Sequence, residues 1–338
     1  MKAFWINKVL LFPYYMVLCV RHMLYNKKIF KTTRFDIPVI SVGNISVGGT
    51  GKTPMVEFIV KELKDEKRVA VLSRGYGRKS KGFRYISESD SVVDSGDEPL
   101  QIKKRYPTVT VAVDIDRVNG MKKLLELPEN ERPEVVVLDD AFQYRSIFAS
   151  CNIVLVDYTR PLYEDYLLPV GRLRDLPGQI KRADVVIVTK SPPELSDNEP
   201  DMWRARLKML PDQKLLFSAL KYGDAKGIFE DSNRRYLTSK YTVIITGIAN
   251  PKPLLYHMVN QYKIEEHVKF GDHHQFTKGD VRRFNRIAKK YPKAVIYTTE
   301  KDAQRIEKLK GLSPDFTQRL FYLPIEMELI NGGLLLDF

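Results

Sequence analysis

Ser41-Val42-Gly43-Asn44-Ile45-Ser46-Val47-Gly48-Gly49-Thr50-Gly51-Lys52-Thr53-Pro54 separates the strand-like run Ile37-Pro38-Val39-Ile40 from the helix-like run Met55-Val56-Glu57-Phe58-Ile59-Val60. A glycine-rich turn between a strand and a helix leaves backbone N–H groups unpaired and aimed at one spot beside the helix N-terminus. Phosphate oxygens fit that concavity, Lys52 reaches the outer phosphates, and the Thr53 hydroxyl suits a magnesium ion. The candidate phosphate-binding residues are therefore Ser46, Val47, Gly48, Gly49, Thr50, Gly51, Lys52 and Thr53. The match to G-x-x-x-x-G-K-[ST] departs at Ser46, which stands where the first glycine is expected. Gly-Lys-Thr in a strand–turn–helix context favours a nucleotide site over an ordinary glycine turn.

Apolar, β-branched runs recur along the chain at helix-length intervals, at residues 39–42, 68–72, 109–113, 135–138, 153–156 and 185–188. Such runs read as buried parallel strands of an α/β sheet, whose ligands bind at the carboxyl ends of the strands. Those ends carry Ser73-Arg74-Gly75-Tyr76-Gly77-Arg78, Asp114-Ile115-Asp116-Arg117, Asp139-Asp140, Asp157 and Thr189-Lys190. Residues 214–221 and 235–239 read as extended segments leading to a second unit with strands at 243–246, 268–270, 294–298 and 320–323. The expected fold is α/β, a P-loop NTPase-like parallel-sheet domain over 31–215 and a smaller α/β domain over 241–338. An extended linker over 216–240 joins them, and a basic amphipathic membrane-docking helix over 1–30 precedes them.

With 338 residues and 43% hydrophobic content, the chain has material for sizeable cores. Cys19 and Cys151 lie far apart in sequence, which argues against a disulfide framework and against a zinc site. The net charge of +13 calls for an acidic partner. Much of the asymmetry is N-terminal, where Lys2, Lys8, Arg21, Lys27, Lys28, Lys31 and Arg34 all precede the first acid, Asp36. Between them runs Val9-Leu10-Leu11-Phe12-Pro13-Tyr14-Tyr15-Met16-Val17-Leu18-Cys19-Val20, well short of the ~20 residues of a spanning helix. Aromatic edges with basic flanks suit a helix lying in the headgroup region of an anionic membrane. Nucleic acid fits less well, because no basic, aromatic-interleaved groove segment appears apart from this apolar run.

Val135-Val136-Val137-Leu138-Asp139 has the form of a Walker B strand, with Asp139 placed to hold magnesium and Asp140 beside it. Ser95-Gly96-Asp97-Glu98-Pro99 sets two acids in a tight turn, and Phe270-Gly271-Asp272-His273-His274 offers an imidazole. An Asp oriented by a His makes a general base for a hydroxyl nucleophile. Arg74, Arg78, Arg117, Arg172 and Arg174 are candidates for binding phosphate, since the guanidinium fork donates to two oxygens at once.

Taken together these segments resemble the tetraacyldisaccharide 4′-kinase family, the lipid A 4′-kinases. The resemblance rests on the 42–54 loop, Ser73-Arg74-Gly75-Tyr76-Gly77, Gly96-Asp97-Glu98-Pro99 and Leu138-Asp139-Asp140. It continues through Leu168-Pro169-Val170-Gly171-Arg172-Leu173-Arg174, Thr246-Gly247-Ile248, Phe270-Gly271-Asp272-His273 and Thr299-Glu300-Lys301-Asp302. It implies transfer of the ATP γ-phosphate to the 4′-hydroxyl of tetraacyldisaccharide 1-phosphate, with Mg²⁺, at the cytoplasmic face of a Gram-negative inner membrane. It implies Asp97 and His273 as a base dyad, Lys52 as a catalytic cation, and Thr53, Asp139, Asp140 and Glu98 around the metal. Asn44, Arg74, Tyr76, Arg117 and Arg172 would contact substrate, and no protein partner is implied. Where the family commonly reads D-D-G-F-Q-H, this chain has Asp139-Asp140-Ala141-Phe142-Gln143-Tyr144. Tyr144 cannot replace an imidazole as base or cation, so a substrate contact carried by that histidine does not transfer here. The alternative is a membrane-associated P-loop ATPase switch of the partition or targeting type. Those proteins usually carry a lysine just before the Gly-Gly pair, where this chain has Val47.

Overall fold

The structure, a computed structural model, describes residues 2–330 apart from Ala249 and His273, with side chains from Leu11 onward. The chain forms two compact units, Met1–Leu220 with the stretch from Met327 on, and Lys221–Glu326. The first begins with α1 (Lys2–Asn26), β1 (Val39–Asn44), α2 (Lys52–Leu63), β2 (Val69–Ser73) and β3 (Arg84–Tyr85). Then come α3 (Val92–Ser95), α4 (Asp97–Arg105), β4 (Thr110–Val113), α5 (Arg117–Leu125) and β5 (Val135–Asp139). β6 (Cys151–Asp157), β7 (Val185–Thr189), α6 (Glu199–Leu207) and β8 (Lys214–Tyr222) follow.

β1, β2, β5 and β7 are buried along their whole length, as expected of valine-rich strands covered on both faces. β1 lies inside the sheet, parallel to β5 on one side and to β6 on the other. The strands that follow β1 go to one side (β2, β4, β5) before the chain crosses to the other (β6, β7, β8). The loop after β1 therefore opens at a topological switch point, where such sheets bind ligands. Met55, Val56, Ile59 and Val60 of α2 pack on Ile40, Val42 and Val137 on one face. The other face carries Val154, Val156 and Phe142, covered by Leu18 of α1 and Trp203 of α6.

The second unit contains β9 (Lys226–Gly227), β10 (Tyr241–Thr246), α7 (Lys252–Val259), β11 (Lys263–Lys269) and α8 (Lys278–Lys290). It continues with β12 (Val295–Thr299), α9 (Glu300–Ile306), α10 (Pro314–Thr317) and β13 (Leu320–Leu323). Its sheet has the order β11-β10-β12-β13-β9, with only β9 antiparallel. Val243, Ile245, Phe284, Ile296 and Phe316 form its core. The chain then makes β14 (Ile325–Ile330), which completes a nine-stranded main sheet beside β8.

Several elements differ from the sequence reading. Residues 214–221 are part of β8, whose Leu216 and Phe217 register with Ile187 and Val188 of the main sheet. Of residues 235–239, expected as extended, 235–238 lie in a 3₁₀ turn at Arg234–Thr238 and Ser239 is extended. The Asn233 side chain accepts from Arg235 N at 3.1 Å and curls the chain there. β11 starts five residues before the expected 268, because Lys263, Glu265, Glu266 and His267 hide it behind polar groups. Among the described residues no helix is long and apolar enough to cross a membrane.

Candidate functional site

Gly48 and Gly51 take φ of +109° and +90°, left-handed values that a side chain would strain. The 45–51 loop is held from several directions. Asn44 Nδ2 donates to Thr50 Oγ1 at 2.6 Å, and Thr189 Oγ1 donates to Thr50 O at 2.8 Å. Lys190 Nζ donates to Gly49 O at 2.5 Å and pairs with Asp157. Val47 N donates to Arg172 O at 2.7 Å, while Arg174 N donates to Ile45 O at 2.9 Å. α2 starts directly after Gly51 with no side-chain cap. Its first amides and its dipole are thus available to an anion.

Charged groups gather around this helix start. Lys52 Nζ lies 3.9 Å from Asp140 Oδ1. Burial pulls the Lys52 pKa down, against the opposing pull of Asp140, Asp139 and Glu98. Asp140 adopts φ +49°, a left-handed turn that aspartate tolerates better than most residues. Arg174 forks onto its carboxylate, Nη1 to Oδ2 at 3.0 Å and Nη2 to Oδ1, and Nη2 also donates to Asn44 Oδ1. Burial works to raise the Asp140 pKa, but Arg174, Lys52 and Arg117 outweigh it and hold the carboxyl low. Asp139, buried at the end of β5, accepts from Ser73 Oγ at 3.0 Å. Its pKa is pushed up to about 6 by burial first, then by Asp140 and Glu98.

Arg117 opens α5 behind the Asp116 cap and is 6% exposed. Burial first, and then Arg74, lowers its pKa. Its guanidinium lies 5.0 Å from the ring centroid of Tyr144, whose hydroxyl donates to Asp116 Oδ1 at 2.9 Å. Tyr144 thus braces the arginine through its ring, a role open to an aromatic side chain. Asp97 is the first residue of α4 and 7% exposed, and Glu98 acts electrostatically on both Lys52 and Asp139. The Gly96-Asp97-Glu98 turn therefore belongs with the phosphate loop. Arg74, Tyr76 and Arg172 are exposed.

His273 lies outside the described residues. Its neighbour His274 stacks on Phe270, with centroids 4.6 Å apart, and bonds Asp280 Oδ2 at 3.0 Å. That carboxylate also closes the capping box of α8, which gives His274 a structural task. In the second unit Asp302, 0% exposed, accepts from Gly247 N at 2.8 Å and from Thr299 Oγ1 at 2.7 Å. The Thr246-Gly247 and Thr299-Asp302 segments are joined by that one carboxylate. The sequence marks Asp157, Thr189 and Lys190 only as strand ends, yet Thr189 and Lys190 donate to the loop carbonyls and Asp157 pairs with Lys190. Ser73, the ligand to Asp139, was visible as the residue closing β2.

The donor set fits a magnesium ion. Thr53 is buried at the helix start, and Glu98 is close enough to help raise the pKa of Asp139. Among the described residues no three His, Cys, Asp or Glu side chains converge as a ready cage. Mg²⁺ needs none, since it takes one or two carboxylates together with substrate phosphates and water. The raised pKa of Asp139 has a cost that can be measured. Its carboxyl binds a proton more tightly folded than unfolded, so its contribution is most favourable below its ordinary 3.8 and is lost as pH rises through about 6. In the nucleotide-free protein at about pH 8, Asp139→Asn should therefore raise stability by roughly 1–3 kcal/mol. The gain should shrink at about pH 5, and phosphoryl transfer should be lost throughout. Thermal melts at the two pH values, run beside an activity assay, check this.

A sequence profile described as tetraacyldisaccharide-1-P 4′-kinase matches residues 3–336. A tetraacyldisaccharide 4′-kinase from Porphyromonas gingivalis is 41% identical over 317 residues, covering 92% of this chain and 88% of its own. One from Flavobacterium johnsoniae is 39% identical over 327 residues, covering 95% and 93%. A crystal structure of LpxK from Aquifex aeolicus in complex with ATP superposes with a TM-score of 0.72 at 29% identity, covering 96% of this chain and 95% of that one.

Proposed function

The chain belongs to the tetraacyldisaccharide-1-P 4′-kinase family, and from that premise we propose how its residues carry out the family's reaction. It is a lipid kinase that transfers the γ-phosphate of ATP to the 4′-hydroxyl of tetraacyldisaccharide 1-phosphate. Membership decides for the kinase and against the hydrolytic switch. The observation that carries the mechanism is the junction of the 44–53 loop with Asp139, Asp140 and Arg174 at the carboxyl ends of β1 and β5.

Residues 46–51 with Lys52 hold the β- and γ-phosphates at the N-terminus of α2. Magnesium, held by Thr53 and Asp139 with Asp140 and Glu98 nearby, supplies charge neutralisation on the phosphates when bound. Asp97 accepts the 4′-hydroxyl proton as the sugar oxygen bonds to the γ-phosphorus, and the bond from that phosphorus to the bridging oxygen breaks to release ADP. Arg117 and Arg172 neutralise charge on the transferring group, while Arg74, Tyr76 and Asn44 contact the acceptor or orient the loop. His273 keeps the role the family resemblance implies, as the partner that polarises the base. Support for these roles lies in the burial of Asp97, Asp139 and Arg117 and in the charge balance around Lys52.

The lipid acceptor calls for a membrane surface, and α1 is the proposed dock. Leu11, Tyr14, Leu18 and His22 face the protein, and Leu18 and His22 are buried. The opposite face exposes Phe12 and Val17, each 62% accessible, with Tyr15, Met16, Val20 and Met23. An apolar helix face left open beside basic residues suits an anionic headgroup layer, here the cytoplasmic face of an inner membrane. Val17→Asp should weaken binding to anionic vesicles by about tenfold or more, because an apolar contact is replaced by a charge. The KM for ATP should stay unchanged. Vesicle co-sedimentation reads this, and undiminished binding rejects the dock.

The reaction itself is tested with ATP labelled at the γ-phosphate and tetraacyldisaccharide 1-phosphate in detergent micelles, beside Lys52→Ala. Label on the lipid, absent in the variant, is the expected result. Label released only as free phosphate would overturn the reading.

A further inference from the structure

Side chains of α1 reach both segments that flank the phosphate loop. Tyr14 OH donates to Arg174 O at 2.8 Å, and Arg21 Nη2 donates to Gln143 O. His22, 4% exposed, places Nε2 2.6 Å from Oδ1 of Asp175, itself 0% exposed. Arg145 Nη1 donates to the other ring nitrogen at 3.1 Å. A guanidinium only donates, so Nδ1 accepts and Nε2 carries the proton directed at Asp175. Asp175 Oδ1 also accepts from Leu176 N at 2.8 Å, while Oδ2 has no hydrogen-bond partner among the described residues. His22 is thus the chief side-chain partner of a fully buried carboxylate. Such a pair is poorly repaid in stability, and fixing one arrangement is the best-attested use of a buried polar pair.

What the pair fixes is the adjoining residue. Arg174 grips both oxygens of Asp140 and the side chain of Asn44. Gln143 Nε2 donates to Asn44 O at 2.7 Å, and Asn44 passes a hydrogen bond on to Thr50 in the loop. We propose that His22 is a positioning residue for phosphoryl transfer. With Asp175 it holds the backbone at Arg174, and through Arg174 it sets Asp140 and Asn44 against the phosphate loop. The seat of the N-terminal helix is thereby built into the geometry of the catalytic centre.

The inference rests on the kinase reading, so turnover of the wild-type chain on the lipid tests that reading and ratios among variants test this one. His22→Ala should lower kcat by about 30-fold with the KM for ATP within about threefold, the pattern of lost alignment rather than lost binding. His22→Gln, which returns an N–H donor at similar reach, should recover activity to within about threefold of wild type. In an Arg174→Lys background, whose fork is already broken, His22→Ala should cost less than about twofold more. Loss of the full factor in that background would overturn the proposal, as would a raised KM at unchanged kcat. Tyr14→Phe removes only one hydroxyl, which bonds Arg174 O and so holds the same stretch of backbone from the same helix. If His22→Ala does not fold, the cycle of Tyr14→Phe with Arg174→Lys decides. A loss of about threefold that vanishes in the Arg174→Lys background supports the proposal, and an additive loss sinks it.

Discussion

Asp97→Ala is expected to lower lipid phosphorylation by about 10³-fold or more while ATP affinity stays within about twofold. Asp97 is the first residue of α4, at the positive end of the helix dipole. It is held by a turn with little freedom. Gly96 adopts φ +87°, and a Cβ there would stand 3.1 Å from Tyr76 O and 3.2 Å from Gly75 Cα. Only glycine lets the 75–77 turn and the start of α4 approach this closely. The carboxylate is 7% exposed, and its neighbour Glu98 acts on Lys52 and Asp139. Its proposed partner is the acceptor hydroxyl and not the nucleotide, which separates the two readouts. Single-turnover transfer of labelled phosphate gives the rate, and equilibrium binding of a fluorescent ATP analogue gives the affinity. Turnover near wild type would remove the base assignment. A parallel fall in affinity would move Asp97 to the nucleotide or metal instead. Asp97→Asn, which keeps shape and loses basicity, should be as inactive as Asp97→Ala.

The strands and the loop were legible because burial on both faces leaves an unmistakable trace. All six apolar runs of the first unit are strands, and Ser73, Asp139, Asp140 and Lys190 at their ends meet around the phosphate loop and the start of α2. What was not legible depends on partners distant in the chain. Met327 returns to the core beneath the loop, within contact distance of the Cβ that Gly51 lacks, yet β14 carries Glu326 and Glu328 and reads as a surface segment. β11 shows the same effect, its charged residues concealing a ladder with β10. His22 and Asp175 are 153 residues apart, and neither sits in a motif. Tyr144 was legible only as a departure from the family's histidine. The structure supplies the ring under Arg117 that the substitution provides. Motifs announce groups that meet substrate, whereas groups that hold other groups in place are found only once the fold is known.

Lys52→Ala is expected to reduce kcat/KM for ATP by about 10³-fold or more and to raise the KM for ATP, since in the proposed mechanism the ammonium meets the nucleotide before and during transfer. The fold should survive. Asp140 keeps both hydrogen bonds to Arg174 when the lysine is gone, so no unpaired buried carboxylate is created there. Asp139 loses one of the neighbours that lower its pKa, and its carboxyl should titrate higher still than about 6. Lys52→Arg should not rescue, because a planar fork differs in size and donor geometry from the point charge that fits between Asp140 and the helix start. The lysine's lowered pKa gives a further check. Burial disfavours its charged form, so its contribution to phosphate binding is lost as pH rises through a value below that of an ordinary lysine. Bound phosphate restores the charge, hence the alkaline limb should lie at higher pH for kcat than for kcat/KM. Identical alkaline limbs, both retained in Lys52→Ala, would place the titrating group elsewhere. A Lys52→Ala variant that melts normally yet keeps wild-type kcat/KM would remove the lysine from the phosphate site altogether.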